Sequence, residues 1–190
     1  LSGQPWAIAS LTRPTGPDID SGPDGLSSAR TQRATANAHI DAIVAQNAEV
    51  DSFVLRCVGL WPQHHPATFL FARAVAIITS LVCQRFKHAF AVPRPHTLDS
   101  TVAPLLPVPG HGSFPGGHAT LAAALVTVLP AIWKRADVAK LMTLVDEIAL
   151  NRLRAGLHYQ LDSDAGKLLG AGIGAVLLQA FSESPTPLPL

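Results

Sequence analysis

Apolar residues in this chain recur at helical spacing over several long segments, and no stretch of useful length alternates apolar and polar residues as a half-buried strand does. The chain has 190 residues, of which 48% are hydrophobic, enough for one domain with a substantial core. Proline-rich stretches separate the apolar segments and end helices. The sequence therefore predicts an all-α fold, a helical bundle.

The predicted helices cover most of the chain after residue 25. The first is expected from residue 26 to about residue 50. The Pro-rich stretch 97–114 lacks helical periodicity and is long enough to be a functional loop. Ser163 or Asp164 is a candidate N-cap for the last helix. The remaining helices are expected over residues 67–89, 117–133, 137–155 and 163–181.

Three regions of the chain differ in composition. Residues 1–25 are polar and turn-forming and are predicted to be an arm or linker. Residues 26–181 are expected to form a single α-helical domain, and residues 182–190 a loose tail. A short bundle with an additional arm is compatible with a homodimer.

Charge and hydropathy exclude some classes of partner. The formal net charge is +1, and no run of Lys or Arg could follow a phosphate backbone, so we expect no nucleic-acid partner. No uninterrupted apolar run reaches the roughly 18 residues typical of a transmembrane helix. The sequence therefore predicts a soluble protein with no membrane span. It would be cytoplasmic, or periplasmic or secreted if a targeting segment was removed before Leu1.

Basic residues are concentrated where the chain is most apolar. Between residues 52 and 136, every charged residue except Asp99 is basic. Positive charge in apolar surroundings is costly unless the side chain reaches water or faces an anion. Lys87 and Arg94 are the strongest candidates for an anion site, because the prolines of KHAFAVPRP fix the backbone that aims Arg94.

Two later segments carry further candidate residues. The stretch HGSFPGGHAT, residues 111–120, combines small residues with the start of a helix, where free N–H groups and the positive dipole end favour anions. In RLRAGLHYQLD, Arg152 precedes His158 and Asp162. These last two residues are one helical turn apart, so the carboxylate can orient the imidazole. Taken alone, a histidine in either of these segments could be structural.

In this order the three segments resemble the signature of the superfamily that joins type 2 phosphatidic acid phosphatases to vanadium haloperoxidases: K-x6-RP, PSGH and SR-x5-H-x3-D. They stand here at residues 87–95, 115–118 and 151–162, with matching spacing inside each motif. The resemblance covers roughly residues 67–181. It implies a helical bundle whose pocket binds phosphate, or vanadate as its near-isostere.

The resemblance also implies which residues hold the oxyanion. Lys87, Arg94 and Arg152 would bind it, with the backbone N–H of Gly117 as a further donor. Positive donors around the equatorial oxygens stabilise a trigonal bipyramid, which is the geometry of phosphoryl transfer's transition state and of bound vanadate.

The two motif histidines and Asp162 would carry the chemistry. His118 would be the general acid and base, and Asp162 would fix the tautomer of His158. In a phosphatase His158 would attack phosphorus and form a phosphohistidine, with no cofactor. In a haloperoxidase the cofactor would be vanadate, and His158 would be the ligand of its vanadium.

Two residues depart from the family pattern. Gly116 stands at the serine position of the oxyanion-binding motif PSGH, which removes a hydroxyl group worth about 0.5–1.5 kcal/mol. Asn151 replaces the serine of the third motif. A weakened homologue that binds anions without turnover is therefore one possible function.

The choice between the two enzymatic reactions depends on residues outside the shared motifs. His111 stands seven residues before His118, where the algal bromoperoxidases resemble this chain in carrying a second histidine, so we include it among the candidate catalytic residues. A soluble chain would also be unlike the lipid phosphatases, which span the membrane. We expect a vanadate-dependent haloperoxidase-like enzyme that oxidises bromide or iodide with hydrogen peroxide. The alternative is an acid phosphatase that hydrolyses phosphomonoesters, with His111 only hydrogen-bonded to a loop carbonyl.

Overall fold

The computed structural model describes residues 11–183, which form helices and connecting loops without a β-strand in that range. The all-α prediction is confirmed. A 3₁₀ turn, Ala36–His39, precedes the third helix. The α-helices are α1 (Gly16–Asp20), α2 (Leu26–Ala34), α3 (Ile40–Ala45), α4 (Val50–Cys57), α5 (Pro66–Phe90), α6 (Pro95–Leu98), α7 (Gly117–Ile132), α8 (Val138–Arg154) and α9 (Gln160–Ser182).

The single helix predicted over residues 26–50 is wrong, because the chain there forms α2, the 3₁₀ turn and α3. At the break, the Thr35 hydroxyl donates to the Gln32 carbonyl at 2.8 Å. Side-chain bonds of this kind offer the backbone an alternative to continuing a helix. The break matters for the site, because it turns the end of α3 toward α8.

The start of α9 also differs from the prediction. Its N-cap is Tyr159, and the carboxylate of Asp162 at the third helical position accepts a hydrogen bond from the Tyr159 N–H at 3.0 Å. Ser163 and Asp164 therefore lie inside the helix and do not cap it. This capping contact fixes Asp162 at the base of the helix.

Helix α7 is the centre of the bundle. It packs against α4, α5, α8 and α9, and its closest partner is α9. A Cβ atom added to Gly170 of α9 would lie 2.1 Å from the carbonyl oxygen of Thr120 on α7. Glycine is therefore required there for the two backbones to approach, and the approach holds the first turns of α7 and α9 side by side.

The N-terminal segment packs onto the bundle. Within the described part of the predicted arm, Ile19 of α1 is buried in a cluster with Val92, Phe114 and Tyr159. Residues 1–10 and most of the predicted C-terminal tail, 184–190, lie outside the described residues. The division of the chain into arm, domain and tail stays a prediction.

Two helices are long and apolar enough to cross a membrane by length and composition. One segment is residues 66–98, which contains α5, and the other is α9; an 18-residue window within each has a mean hydropathy of 1.8 and 1.3, respectively. On α5, Leu70 is 73% exposed and Leu81 is 65% exposed, as expected of a helix face covered by lipid. These findings indicate membrane association and contradict the predicted absence of a span and the predicted soluble location. The prediction failed because it required an uninterrupted apolar run, whereas α5 also carries Arg73 and Lys87.

Candidate active site

A cavity of about 290 Å³ brings together residues from helices and loops that lie far apart in the chain. Its walls come from the connector between α3 and α4, the start of α4, α5, Arg94 after α5, the loop before α7, the first turns of α7, the end of α8 and the loop after α8. Of the residues predicted from the sequence, seven line it: Lys87, Arg94, His111, Gly117, His118, Arg152 and His158. Gly116 and Asp162 do not line the cavity but are buried directly behind it.

Lys87 and Arg94 bind the loop that precedes α7. Lys87 is 2% exposed, and its Nζ donates to the carbonyls of Gly112 at 3.1 Å and Ser113 at 2.6 Å. Arg94 donates through Nη1 to the Leu157 carbonyl at 2.8 Å and through Nε to the His111 carbonyl at 3.2 Å. Lys87 therefore joins α5 to the loop before α7, and Arg94 joins that loop to the segment between α8 and α9.

The end of α5 explains how Arg94 reaches this position. Ala91 ends the helix in the left-handed conformation, with φ +46°, and its N–H donates to the Lys87 carbonyl at 2.9 Å. The chain then turns through Pro93, and Arg94 is extended as the N-cap of α6. Because Pro95 follows directly, Arg94 is restricted to this extended region.

Arg152, near the end of α8, is held by α3 and by the connector that follows α3. It is 2% exposed, and its Nη2 donates to the Ile43 carbonyl at 2.7 Å while its Nη1 donates to Asn47 Oδ1 at 3.1 Å. Burial lowers the pKa of Arg152 to about 10, so it remains a cation at neutral pH. Its Nε is buried and has no hydrogen-bond partner among the described residues. A buried donor without an acceptor is costly, and an oxyanion in the cavity could supply the acceptor.

His158 and Asp162 form a buried pair at the start of α9. His158 Nδ1 lies 2.9 Å from Asp162 Oδ2, and the Ser113 hydroxyl donates to Asp162 Oδ1 at 3.3 Å. With the carboxylate as acceptor, Nδ1 carries the proton and Nε2 keeps its lone pair. Burial, and next the nearby cations, lower the pKa of His158 well below its ordinary value. The imidazole is therefore neutral, the form needed in a nucleophile or a ligand.

His118, in the first turn of α7, contacts the connector between α3 and α4. Its Nε2 lies 3.3 Å from the main-chain carbonyl oxygen of Asn47. Since a carbonyl can only accept, Nε2 carries a proton and Nδ1 is the nitrogen that gains or loses one. Burial, followed by the charge of Arg152, lowers the pKa of His118 to about 3.

His111 lies at the mouth of the cavity. Its Nδ1 is 3.1 Å from the Gly112 carbonyl oxygen and 3.3 Å from Arg94 Nη2. Burial is the main cause that lowers its pKa. The structure thus contains the loop-carbonyl contact considered above as an alternative to catalysis, and it also places His111 on the cavity wall.

Gly116 and Asn151, the two residues that depart from the family motifs, each form a hydrogen bond with another part of the chain. The Gly116 N–H donates to the Asp162 carbonyl at 2.7 Å, and an added Cβ would lie 3.0 Å from that oxygen. Glycine thus lets the loop lie against the start of α9. The Asn151 amide donates to Gln46 Oε1 at 2.9 Å, so this side chain joins α8 to the end of α3.

The sequence analysis did not identify Asn47, Ser80 or Gln84 as site residues, although the sequence carries a signal for the last two. Asn47 lies 105 residues from its partner Arg152, and no motif or period links them. Ser80 and Gln84 line the cavity on α5, and their spacing of seven and three residues from Lys87 places them on its face of the helix. That second signal was available in the sequence.

A helical bundle whose cavity gathers several cations and several histidines has the features of an oxyanion-binding protein. Residues 67–185 match the family model described as the PAP2 superfamily. The chain therefore belongs to the PAP2 superfamily, whose members are generally phosphatases or haloperoxidases. The resemblance inferred from the three motifs is confirmed.

Two solved structures have a similar fold. One is described as the first transmembrane PAP2 type phosphatidylglycerolphosphate phosphatase from Bacillus subtilis, with 18% identity, a TM-score of 0.55, and coverage of 86% of this chain and 88% of that one. The other is described as the first bacterial vanadium-dependent iodoperoxidase, with 16% identity, a TM-score of 0.60, and coverage of 92% of this chain and 53% of that one. This chain thus spans about half of the iodoperoxidase. A comparison with curated proteins gave no significant match.

These identities show the shared fold and do not distinguish the two reactions. The phosphatidylglycerolphosphate phosphatase is transmembrane by its description. Together with the two apolar helices of this chain, that finding contradicts the predicted soluble protein without a membrane span.

Proposed function

We propose that this protein is a phosphatase that hydrolyses phosphomonoesters through a phosphohistidine on His158. The observation that supports the proposal is the His158–Asp162 pair, which leaves the Nε2 lone pair available on a cavity whose lining includes Lys87, Arg94 and Arg152. Such an arrangement supplies a nucleophile and stabilises the charge that develops on the phosphoryl oxygens.

The reaction would proceed in two displacements. His158 Nε2 attacks phosphorus, the ester P–O bond breaks, and the leaving oxygen takes a proton from Nδ1 of His118. Water then attacks phosphorus, His118 Nδ1 takes a proton from that water, and the N–P bond breaks to release phosphate.

The proton on His118 requires the substrate. With a pKa of about 3, the free His118 is neutral at neutral pH. A bound phosphoryl group opposes the nearby positive charge and raises that pKa. A monoester in its monoanionic form, which dominates below a pKa of about 6, also brings a proton with it. We therefore expect activity to be higher at mildly acidic pH.

Three features favour this reaction over the haloperoxidase reaction expected from the sequence. The argument from solubility no longer holds, because two helices are apolar enough to span a membrane. His111 has the Gly112 carbonyl oxygen 3.1 Å from its Nδ1, which supports the structural alternative to catalysis for this residue. The cavity continues along α5 to Arg73, which provides space for a leaving group.

A vanadate-dependent haloperoxidase is the second candidate, favoured by the position of His111 on the cavity wall 3.3 Å from Arg94 Nη2. The residues fit vanadate, because Lys87, Arg94 and Arg152 would hold its oxygens and His158 Nε2 would bind vanadium. The unpartnered Nε of Arg152 is a donor suited to such an oxyanion. Bound vanadate would supply the activation of hydrogen peroxide for halide oxidation.

A paired assay tests the proposal. One sample of metal-free protein receives p-nitrophenyl phosphate, and the other receives orthovanadate, hydrogen peroxide and bromide or iodide. His158→Ala is measured in both, with His88→Ala, an exposed position on α5, as the matched control. We expect ester hydrolysis that vanadate inhibits, that is lost in His158→Ala and that persists in His88→Ala.

Each other outcome has a definite meaning. Halogenation that needs vanadate and His158, without ester hydrolysis, would replace the phosphatase with the haloperoxidase. No turnover in either assay, together with measurable phosphate binding, would indicate an anion-binding homologue. A radiolabel from substrate that stays on the wild-type protein after a rapid quench, and is absent in His158→Ala, would identify the phosphohistidine.

A further inference from the structure

Helix α5 presents a row of polar side chains to the cavity on a helix that is otherwise strongly apolar. Arg73, Ser80, Gln84 and Lys87 all line the cavity, at spacings that place them on one helix face. At 1.5 Å per residue, the row extends about 10 Å from Lys87 to Ser80 and about 20 Å to Arg73. A phosphoryl group held by the cations would occupy only one end of this row.

At the far end of the row, Arg73 lies between two carboxylates, and the exposed one, Glu49, has its Oε1 3.5 Å from Arg73 Nη2. Asp51 of α4 lines the cavity with its side chain only 5% exposed, and its Oδ2 lies 3.3 Å from Arg73 Nε. The hydroxyl of Thr79, which also lines the cavity, is buried and has no partner within the described part of the chain. Ionisable residues in a segment apolar enough to span a membrane are costly, and they characteristically face a cavity that a polar ligand uses.

The chemistry of these groups restricts what can occupy the cavity beside the phosphoryl group. An alkyl chain would remove water from the exposed polar side chains of Arg73, Ser80 and Gln84 without replacing the lost hydrogen bonds, which is unfavourable. A hydroxyl group can donate to a carboxylate or an amide oxygen and accept from an amide or a guanidinium. A leaving group with several hydroxyls therefore fits this wall, and an aliphatic one does not.

We propose that the α5 wall, formed by Arg73, Ser80 and Gln84 with Asp51, is a leaving-group subsite that selects phosphomonoesters of polyols or sugars. This inference rests on the proposed phosphatase function. It assigns substrate selectivity to residues that take no part in the phosphoryl-transfer steps, and one of them, Asp51, lies outside the part of the chain that matches the family model.

The test compares two phosphomonoesters with six-carbon leaving groups, sorbitol 6-phosphate and hexyl phosphate, with p-nitrophenyl phosphate as the reference substrate. The full chain is used in detergent. We expect the wild type to prefer sorbitol 6-phosphate in kcat/KM by about tenfold or more, the effect of one or two hydrogen bonds. Gln84→Leu is expected to reduce this preference at least about threefold, and Ser80→Ala to reduce it less, by up to about threefold, because it loses one neutral hydrogen bond.

The matched control is Arg85→Gln, an exposed position on α5 beside Gln84 that does not line the cavity. Its ratio of the two kcat/KM values should equal that of the wild type. Because Ser80 and Gln84 are both exposed, their variants should fold, and a thermal melt checks this.

The outcomes separate the inference from the proposed function. Hydrolysis of p-nitrophenyl phosphate with equal or better use of hexyl phosphate would overturn the subsite and leave the phosphatase intact. An unchanged preference in Gln84→Leu would also overturn the subsite. If none of the three esters is hydrolysed, the phosphatase fails and the subsite fails with it.

Discussion

The two sides of the cavity are built from different parts of the chain. On one side, Lys87 and Arg94 donate to loop carbonyls that all lie within the residues matching the family model. On the other side, Arg152 and His118 contact Asn47, which precedes that match. The first side is therefore complete within the family region, whereas the second depends on a connector that the superfamily motifs do not describe.

The largest expected effect concerns the side of the cavity that lies wholly within the residues matching the family model. Asp162→Asn removes the carboxylate that holds the proton on His158 Nδ1, so Nε2 loses its defined role as nucleophile. We expect kcat for p-nitrophenyl phosphate to fall about 10²- to 10⁴-fold. Asp164→Asn, an exposed carboxylate two residues further along α9, is the matched control and should retain activity. Equal activity in the two variants would contradict the role given to Asp162.

The next effect tests the side that depends on the connector. Asn47→Ala removes the acceptor of Arg152 Nη1 and leaves the main-chain contact to His118 in place. We expect kcat/KM to fall about 10- to 100-fold, as is usual when a group that orients a binding residue is lost. The loss should lie mainly in KM and in the affinity for inorganic phosphate, which can be measured by calorimetry.

Two further variants distinguish positioning from general destabilisation. Asn47→Gln keeps a neutral amide acceptor for Arg152 and should recover phosphate affinity relative to Asn47→Ala. Asn37→Ala, an exposed asparagine in the 3₁₀ turn, should behave as the wild type. Unchanged phosphate affinity in Asn47→Ala would show that Arg152 does not need this contact.

The same comparison explains what the sequence could predict. Lys87, Arg94, His158 and Asp162 were found because each motif is local: a helix end fixed by prolines, or two residues one helical turn apart. Asn47 could not be found, because its contact with Arg152 spans 105 residues and arises only when the end of α3 packs on α8. Local spacing carries no information about such a contact.

The fold and the location were predictable to different extents. Helical periodicity fixed the long helices to within a few residues, with an error at α9, where Asp162 accepts a capping hydrogen bond from Tyr159. The membrane prediction failed for a physical reason. A helix that spans a membrane can carry polar residues such as Arg73 and Ser80 where they face a cavity, so an uninterrupted apolar run is too strict a requirement.

A pH experiment tests the other side of the cavity, where His118 contacts Asn47 in the connector between α3 and α4. The pKa of His118 is about 3 in the folded protein, below the ordinary value near 6.5. Between these values the unfolded chain binds a proton that the folded protein does not, so the free energy of unfolding decreases as the pH falls through this range. For one such group the slope approaches about 1.4 kcal/mol per pH unit.

The melting temperature between pH 7 and pH 4.5 measures this dependence. We expect it to fall with pH in the wild type and to fall less in His118→Gln, since that variant has no titrating group at the position. His64→Gln, an exposed histidine in the loop before α5, is the control and should keep the wild-type slope. If His118→Gln leaves the slope unchanged, the low pKa does not belong to His118.

The smallest expected effect concerns the turn at the end of α5 that positions Arg94. Ala91 adopts the left-handed conformation at the end of α5, with φ +46°, which costs a residue with a Cβ about 1–2 kcal/mol. Ala91→Gly removes this cost but adds the conformational entropy of glycine in the unfolded chain, about 0.5–1 kcal/mol. We therefore expect a net stabilisation of up to about 1 kcal/mol, visible as a rise of about 2–4 °C in melting temperature. Ala89→Gly, exposed within the same helix, should instead lower it by a similar amount. A decrease in both variants would show that the turn at Ala91 is not strained.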